Sequence, residues 1–383
     1  MRRRLVILTE IIAPYRIPLF NALARQPEVD LHVMFLAETD PGLRAWQVYK
    51  EEIQFSYEVL RSWRQRFGRY NALLNFGLGR ALREARPDVI LCGGYNYVAS
   101  WHALLWARVH GIPFLLWSES NLQDLRRGRA LVEMFKDEFL RQCSGFVVPG
   151  QSAREYLRAR KAKEASIFTA PNAVDNELFA TAAAKARQNG PERRAELGLP
   201  SGYFLYLGRL VPEKGVFDLL AAYAKLNERR REQVGLVYVG DGVSRRKLEE
   251  QAASISPGMI RFAGFVQRNS LANYYALAEM LILPTYSDTW GMVVNEAMAC
   301  GLLVLVSRVA GCAADLVTEN WNGLLISPGD VSALSAAMER LTGNSELCTS
   351  MGANSAQLIS RYSPAAWALG ISRALQHRGA AND

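Results

Sequence analysis

Two cations in the C-terminal half, Arg209 and Lys214, have the types and spacing needed to bind phosphate oxygens. They stand in the glycine-bounded segment GRLVPEKG (208–215), which joins a strand-like apolar run to a helical pattern. An arginine can donate two parallel hydrogen bonds to a phosphate, and a lysine adds a movable point charge. The start of the following helix contributes unpaired N–H groups. Because the GxxxxGK[ST] order of a Walker loop is absent, an ordinary surface turn stays open as the alternative.

Two carboxylates, Asp288 and Glu296, form a second feature in the segment SDTWGMVVNEAMACG. Their spacing places Asp288 on a loop and Glu296 past the first turn of a short helix. An anion between the two acids would face the unpaired N–H groups of the helix start, which belong to Gly291, Met292 and Val293. A two-carboxylate glycoside hydrolase is the rival interpretation, but such sites usually lack two cations and a helix terminus directed at phosphate.

Two glycine turns end strand-like runs in the same half of the chain. VGDG contains Gly240, and FAGFV ends on Val266. Glycine at the end of a strand allows a ligand to approach the backbone closely. Either turn alone is more often structural, so both residues are candidates for a donor site only together with the charged segments.

Parallel strands must bring these residues to one edge of a sheet. Apolar runs alternate with helical patterns along both halves of the chain, which predicts an α/β protein with two doubly wound, Rossmann-like domains. The predicted strands are 4–9, 31–36, 54–60, 88–92, 113–117, 145–149 and 166–170, then 203–207, 234–239, 259–263, 281–283, 302–306 and 323–326. The strand pattern stops around 180–200. We therefore expect domains at 1–185 and 186–362, with a C-terminal helix within 363–383 that packs back across the domain junction.

Three residues of the first domain are candidates for a ligand site. Tyr15 and Arg16 follow the first predicted strand, and Glu119 follows the fifth. All three stand beyond the carboxyl ends of strands, where open α/β sheets bind ligands. The alternative is that these polar side chains only anchor loops.

Charge is unevenly distributed along the 383 residues. The net charge is +8, and residues 1–180 hold 25 Lys/Arg against 19 Asp/Glu. Part of this excess lies in RSWRQRFGRY (61–70), where aromatic rings alternate with Arg61, Arg64, Arg66 and Arg69. Such a segment suits an anionic membrane surface, and a solvated basic loop is the equal alternative. Nucleic acid is a less suitable partner, since no finger, helix-turn-helix or RNP pattern accompanies the charge.

Cysteine usage and hydropathy indicate the compartment. The five cysteines are scattered, without a CxxC pair, and the four histidines are equally dispersed, so we expect a reducing cytoplasm and no bound metal. No run of eighteen apolar residues is present, and the apolar part of the N-terminus is too short for a signal peptide. The expected location is cytoplasmic, with peripheral attachment to the inner face of the cell membrane.

Together, the segments GRLVPEKG, VGDG, FAGFV and SDTWGMVVNEAMACG resemble, in order and position, the retaining nucleotide-sugar glycosyltransferases of family four, which have the GT-B fold. PNAVD followed by Phe179 is similar to the family's PNGVD segment, with Ala173 in place of its glycine. The opening APYRIPLFNALA resembles a subgroup of bacterial enzymes that assemble surface polysaccharides such as lipopolysaccharide or exopolysaccharide. The resemblance covers most of the chain and is most specific in the C-terminal half.

The resemblance implies a fold, a reaction and residue roles. Two Rossmann-like domains would face each other across a cleft, and a sugar would pass with retention from a nucleotide-sugar donor to a glycan or lipid-linked acceptor. Arg209 and Lys214 would bind the donor diphosphate, Glu296 the ribose, and Asp288, where the family more often has Glu, the transferred sugar. The donor is a substrate rather than a cofactor, and the missing DxD motif fits catalysis without a metal. A GT-B epimerase and a non-catalytic partner subunit are the alternatives.

Overall fold

The computed structural model describes residues 2–40, 46–67, 70–124 and 130–376. The chain forms two units, one from residues 1–173 with 364–383 and the other from residues 174–363. The boundary thus precedes the predicted 185/186, because the helix Asn176–Gln188 packs on helices of the second unit. Asp175 accepts a hydrogen bond from the N–H of Leu178 at 3.0 Å and so fixes the start of this helix. The aspartate of PNAVD therefore has a structural role.

In its described part, the first unit contains a seven-stranded parallel sheet and a separate two-stranded hairpin. The strands are β1 (Arg3–Thr9), β2 (Val29–Phe35), β3 (Ser56–Val59), β4 (Arg61–Phe67), β5 (Tyr70–Phe76), β6 (Val89–Cys92), β7 (Phe114–Trp117), β8 (Gly145–Val148) and β9 (Ile167–Thr169). The helices are α1 (Ile17–Ala24), α2 (Leu78–Ala85), α3 (Val98–Val109), α4 (Ala130–Gln142) and α5 (Gln151–Ala159). The sheet order is β3-β2-β1-β6-β7-β8-β9, and its central strands are buried on both faces, as parallel sheets require.

A six-stranded parallel sheet forms the core of the second unit. Its strands are β10 (Tyr203–Leu207), β11 (Gly235–Val239), β12 (Ile260–Gly264), β13 (Met280–Leu283), β14 (Val304–Ser307) and β15 (Gly323–Ile326). The helices are α6 (Asn176–Gln188), α7 (Gly190–Leu197), α8 (Val216–Ala224), α9 (Glu228–Gln233), α10 (Arg245–Ala252), α11 (Arg268–Leu277), α12 (Met292–Ala299), α13 (Ala313–Leu316), α14 (Val331–Leu341) and α15 (Ser345–Ile359). The order β12-β11-β10-β13-β14-β15 is that of a Rossmann fold. The predicted α/β class with two Rossmann-like sheets is confirmed.

In its described part, the basic segment 61–70 forms strands and not the solvated loop that was the equal alternative to a membrane surface. Residues Arg61–Phe67 form β4, which pairs in antiparallel register with β5. Arg64 forms an ion pair with the buried Asp40, so its charge is not displayed to a membrane. The side chain of Arg66 and all of Arg69 lie outside the described residues. Arg61 is exposed and remains a candidate for contact with anionic lipid.

The last helix of the described chain, α16 (Pro364–Gln376), belongs to the first unit. It packs on α1, β8 and β9. Its Trp367 is fully buried, with ring centroids 5.7 Å from Phe20 and 5.2 Å from Trp117. The C-terminal residues thus complete the core beneath the first sheet. Among the described helices, none combines the length and apolarity needed to cross a bilayer.

Candidate active site

The topology of the second sheet places a crevice between β10 and β13. Chain order reverses at these two neighbours: β11 and β12 lie on one side of β10, and β14 and β15 follow β13 on the other. Ligands of doubly wound sheets bind beyond the carboxyl ends of the strands at such a switch point. The loop after β10 carries Arg209 and Lys214, and the loop after β13 carries Asp288. The structure therefore puts the predicted cationic and acidic segments on adjacent loops.

Close backbone contacts join these two loops. The N–H of Tyr286 donates to the carbonyl oxygen of Glu213 at 2.9 Å, and the Thr285 hydroxyl donates to the same oxygen at 3.1 Å. Gly215 has φ +68°, and a Cβ on it would lie 2.0 Å from the carbonyl oxygen of Pro284. Only a residue without a side chain allows this approach, so Gly215 sets the distance between Lys214 and the loop after β13.

Lys214 and Asp288 form the central contact of the site. The Nζ of Lys214 donates to Oδ2 of Asp288 at 2.5 Å and to the carbonyl oxygen of Ser287 at 3.2 Å. Both side chains are less than one-fifth exposed. In such surroundings a charge pair is weakly screened, which holds both head groups in place. The sequence predicted that the two residues share a site but not that they touch.

Arg209 lies on the solvent side of the same loop. Its side chain is exposed, while its carbonyl oxygen accepts a hydrogen bond from the buried Tyr206 hydroxyl at 2.8 Å. Burial raises the pKa of Tyr206, the charge of Asp288 adds to this shift, and that of Arg209 opposes it. The charges of Arg209 and Asp288 therefore both affect the pKa of Tyr206. This hydrogen bond holds the backbone of Arg209, whereas its guanidinium is exposed to solvent.

Glu296 is half-buried on α12, and Oε2 accepts a hydrogen bond from the Tyr275 hydroxyl at 2.6 Å. Burial raises the pKa of Glu296 to about 7, although the hydrogen bond from Tyr275 and the charge of Arg268 lower it. Near neutral pH this carboxyl therefore exchanges between an acceptor-only form and a form that can donate. Tyr275 belongs to α11, and its role was missed in the sequence because nothing there links it to Glu296.

The start of α12 faces the same edge of the sheet. Gly291 precedes the helix with φ +103°, and no side chain caps its first N–H groups. Gly291 is buried, whereas Met292 and Val293 are half-buried. The Trp290 indole donates to Oδ1 of the buried Asn295 at 2.8 Å, which fixes the loop that leads into the helix. All three predicted N–H donors thus lie at one helix terminus.

Gly240 and Val266 stand on the loops that follow β11 and β12. A Cβ on Gly240 would lie 1.9 Å from the carbonyl oxygen of Gly208, so the VGDG turn presses against the loop that carries Arg209. The N–H of Gly240 also donates to the carbonyl oxygen of Gly264 at 2.7 Å. Val266 is half-buried and packs against the second unit's core. These contacts support the shape of the site, and their part in binding stays a prediction.

The three candidates of the first unit also come close together. Arg16 donates to the Thr9 hydroxyl at 2.7 Å, lies 3.7 Å from a carboxylate oxygen of Glu119, and sits 4.5 Å above the Trp117 ring. Burial opposes the charge of Arg16, but Tyr15 and Glu119 outweigh this effect and raise its pKa.

Three polar or aromatic partners of this cluster were not singled out in the sequence. They are Thr9 and Trp117, which end β1 and β7, and Asn172 of PNAVD, whose amide donates to Glu119 at 3.2 Å. For Thr9 and Trp117 the position at a strand end was the available signal, and for Asn172 it was the PNAVD segment.

We expect Gly215→Ala to destabilise the second unit strongly, since the new methyl group would meet the Pro284 carbonyl. The free energy of unfolding in urea should fall by about 3 kcal/mol. Gly258→Ala is the matched control: Gly258 also has positive φ, but a Cβ there meets nothing within 4 Å. The control should lose only about 1 kcal/mol. Equal losses in the two variants would contradict the close approach.

Across residues 2–40, 46–67, 70–124 and 130–376, no group of three potential protein ligands could hold a metal ion. The arrangement at β10 and β13 is instead one of cations, helix N–H groups and two acids. It is suited to a phosphorylated ligand with hydroxyl groups. The fold defines an α/β protein with two doubly wound, Rossmann-like sheets.

Comparison with known families gives a closer placement. Residues 191–358 match the model of glycosyl transferases group 1, and residues 19–178 match that of glycosyltransferase family 4. The two models follow each other along the chain and together span most of both units. The chain belongs to the family-four glycosyltransferases of GT-B fold.

Individual relatives share less than a third of their aligned residues with this chain. A D-inositol 3-phosphate glycosyltransferase of Catenulispora acidiphila is 29% identical over 55% of this chain and 51% of its own length. The alpha-D-kanosaminyltransferase of Streptomyces kanamyceticus is 25% identical over 71% of this chain and 72% of its own. The match therefore spans only about half the length of the inositol-phosphate enzyme.

Among solved structures, Anabaena HepE in complex with UDP and glucose superposes with a TM-score of 0.76 at 18% identity, over 98% of this chain and 99% of that one. The sucrose-phosphate synthase of Thermosynechococcus elongatus gives 0.76 at 20% identity, with 98% of both chains covered. At these identities the likeness concerns the fold.

Proposed function

We propose that this protein is a retaining glycosyltransferase, which moves a sugar from a nucleotide-sugar donor to a glycan or lipid-linked saccharide during surface polysaccharide assembly. One observation carries the proposal: Lys214 and Asp288 meet at the switch point of the second sheet, beside Arg209 and the uncapped start of α12. HepE, a structural neighbour, is described with UDP and with UDP-glucose, which supports a donor of this chemical class.

Each donor-side residue has a role that its position suits. Arg209 and Lys214 would bind the diphosphate and, with the N–H groups of Met292 and Val293, stabilise the negative charge that develops as the sugar–phosphate bond breaks. The carboxylate of Glu296 would accept hydrogen bonds from the ribose hydroxyls. Asp288, already oriented by Lys214, would contact the hydroxyls of the transferred sugar.

The proposed reaction requires neither a protein base nor a metal ion. The bond between the anomeric carbon and the phosphate oxygen breaks, which leaves an oxocarbenium-like sugar and a nucleoside diphosphate. The acceptor hydroxyl attacks from the face that the phosphate leaves, and its proton passes to the departing phosphate oxygen. Retention of configuration follows from attack on that face.

For the acceptor we propose the cluster of the first unit. Arg16 is held by Thr9 and Glu119 over the buried Trp117 ring, which fixes the position of the guanidinium. Glu119 can accept hydrogen bonds from acceptor hydroxyls, and Arg16 can bind an anionic group on the same molecule. Tyr15, which is half-buried and beside Trp46, lies next to Arg16 in the chain.

Thermal unfolding with UDP, GDP, ADP and dTDP and with their sugars tests the donor class. A ligand at about one hundred times its dissociation constant stabilises by about 2.7 kcal/mol, which shifts the midpoint by a few degrees. We expect one of the nucleotide series to raise the midpoint of thermal unfolding of the chain. Release of an altered sugar without acceptor would instead favour an epimerase, and binding without turnover over a broad acceptor panel would favour a partner subunit.

A further inference from the structure

Two helices of the first unit display large apolar side chains to solvent. On α3 these are Val98, Leu105 and Val109, and on the first turns of α4 they are Leu131, Met134 and Phe135. Each of the six is between 53% and 83% exposed. We call this set the apolar ridge. Single exposed apolar residues are common on protein surfaces, but a contiguous group of this size usually marks an interaction site.

The two parts of the apolar ridge are continuous. Trp101 of α3 packs edge-on against Phe135 of α4, with ring centroids 6.3 Å apart. Val98 precedes Trp101 by three residues and Leu105 follows it by four, so all three share one face of α3. The ridge therefore runs from α3 across Trp101 onto α4.

The β4–β5 hairpin extends this apolar character. Trp63 lies directly opposite Leu74, and Phe76 is two residues further along β5, so the three share one face of the hairpin. All three are exposed, while Leu73 on the opposite face is buried. The strand β5 contacts α3. The hairpin thus buries one face against the domain and presents an apolar face to solvent beside α3.

The part of the chain that forms the hairpin, α2 and α3 is basic, whereas α4 carries three acids, Glu133, Asp137 and Glu138, against Lys136 and Arg141. Residues 61–112, which include β4, β5, α2 and α3, contain eight arginines and two acids, so this stretch is as positive as the whole of residues 1–180. The exposed arginines of its described part include Arg61, Arg83 and Arg108. A surface that combines exposed apolar and aromatic side chains with a basic margin is complementary to the headgroup region of an anionic membrane.

We propose that the apolar ridge and the outward face of the hairpin dock the first unit on a bilayer that contains anionic lipids. The apolar side chains enter the boundary between headgroups and acyl chains, and the arginines contact lipid phosphates. A second copy of the chain is a poorer occupant, because a two-fold interface would oppose two equally positive surfaces. The docking residues are different from those of the donor and acceptor sites.

Sedimentation of the full chain with lipid vesicles tests the proposal. The probes are vesicles of phosphatidylcholine alone and vesicles with about one third phosphatidylglycerol. The variant L105E/V109E should bind the anionic vesicles at least about tenfold less than the native chain. The matched control is L369E/V243E, which changes the same two residue types at positions that are 50% and 88% exposed on other surfaces. The control should bind like the native chain.

A second pair of variants tests the charge. R83Q/R108Q should lower binding to the anionic vesicles by about tenfold. Added salt should also lower the binding of the native chain, because it screens the attraction between arginines and lipid phosphates. R229Q/R246Q removes two exposed arginines from the second unit and should leave binding unchanged. The nucleotide-induced thermal shift, measured on every variant, reports on folding and on the donor site independently of lipid.

Three results would overturn the proposal. The first is a native chain that stays in the supernatant with anionic vesicles. The second is native-like binding by L105E/V109E when its thermal unfolding is unchanged. The third is a native dimer that L105E/V109E converts to a monomer, since the ridge would then be covered by a second copy.

Discussion

Replacing both cations, as in Arg209→Met/Lys214→Met, should lower the rate of sugar transfer by at least about 1,000-fold, because each cation stabilises charge that develops on the leaving diphosphate. Lys214 is the larger contributor, since it is buried enough to act with little screening. Nucleotide affinity should fall as well, and the thermal shift with the matching nucleotide should disappear. The measurement is the release of nucleoside diphosphate in the presence of acceptor, together with calorimetric binding.

The ion pair complicates this variant, because Lys214→Met leaves the carboxylate of Asp288 without its cation. Lys214→Met/Asp288→Asn removes both charges and should restore stability but not activity, which separates the two effects. Lys225→Met is the matched control: Lys225 follows the other end of α8, is exposed and donates to Ser332. Native turnover by the Arg209/Lys214 variant would refute the phosphate site.

The parallel sheets were predictable because their strands are short apolar runs between helical patterns, and this pattern depends on local sequence. The hairpin was not, because both of its faces are mixed in polarity. Trp63 and Leu74 point to solvent, while the inner face carries the buried Leu73 together with Arg64, which is turned to Asp40. The rule that exposes charge and buries aromatic rings therefore gives the wrong result for this segment.

The site was predictable in its components but not in its contacts. Sequence spacing placed Lys214 and Asp288 after two different strands, but the structure alone makes these strands neighbours, and the direct contact depends on the approach of Gly215 to Pro284. The proximity of Arg16 and Glu119 is similar: they follow β1 and β7, which lie on either side of β6. In both cases the sheet order brings the loops to one edge, and only the folded backbone sets the final distance.

Glu296→Gln should make the protein more stable at neutral pH and weaken its nucleotide binding at the same time. The unfolded chain loses the proton of this carboxyl near its ordinary pKa of 4.5, whereas burial raises the pKa in the folded chain to about 7. Between these values the folded state binds more protons than the unfolded state, so its stability falls as pH rises through that window. Glutamine carries no charge and avoids the loss.

The expected size follows from the shift in pKa. Relative to the native chain, the gain of Glu296→Gln in the free energy of unfolding should be absent near pH 4, grow as pH rises from about 4.5 to about 7, and reach about 2 kcal/mol above pH 7. This is less than the full pKa shift would give, because the residue is still partly exposed. The amide oxygen of the new side chain can still accept from the Tyr275 hydroxyl, so the local packing is preserved. Affinity for the nucleotide should nevertheless fall by about tenfold or more, since a carboxylate accepts stronger hydrogen bonds from ribose hydroxyls than an amide does.

Glu279→Gln separates the two effects. Burial also raises the pKa of Glu279, but this residue precedes β13 and so lies at the end of the strand opposite Asp288. Its replacement should change the pH dependence of stability in the same direction and leave nucleotide affinity unchanged. Urea unfolding at several pH values and calorimetric titration with the nucleotide measure both quantities. If Glu296→Gln gains stability but binds the nucleotide like the native chain, Glu296 is a buried structural acid and the ribose contact is wrong.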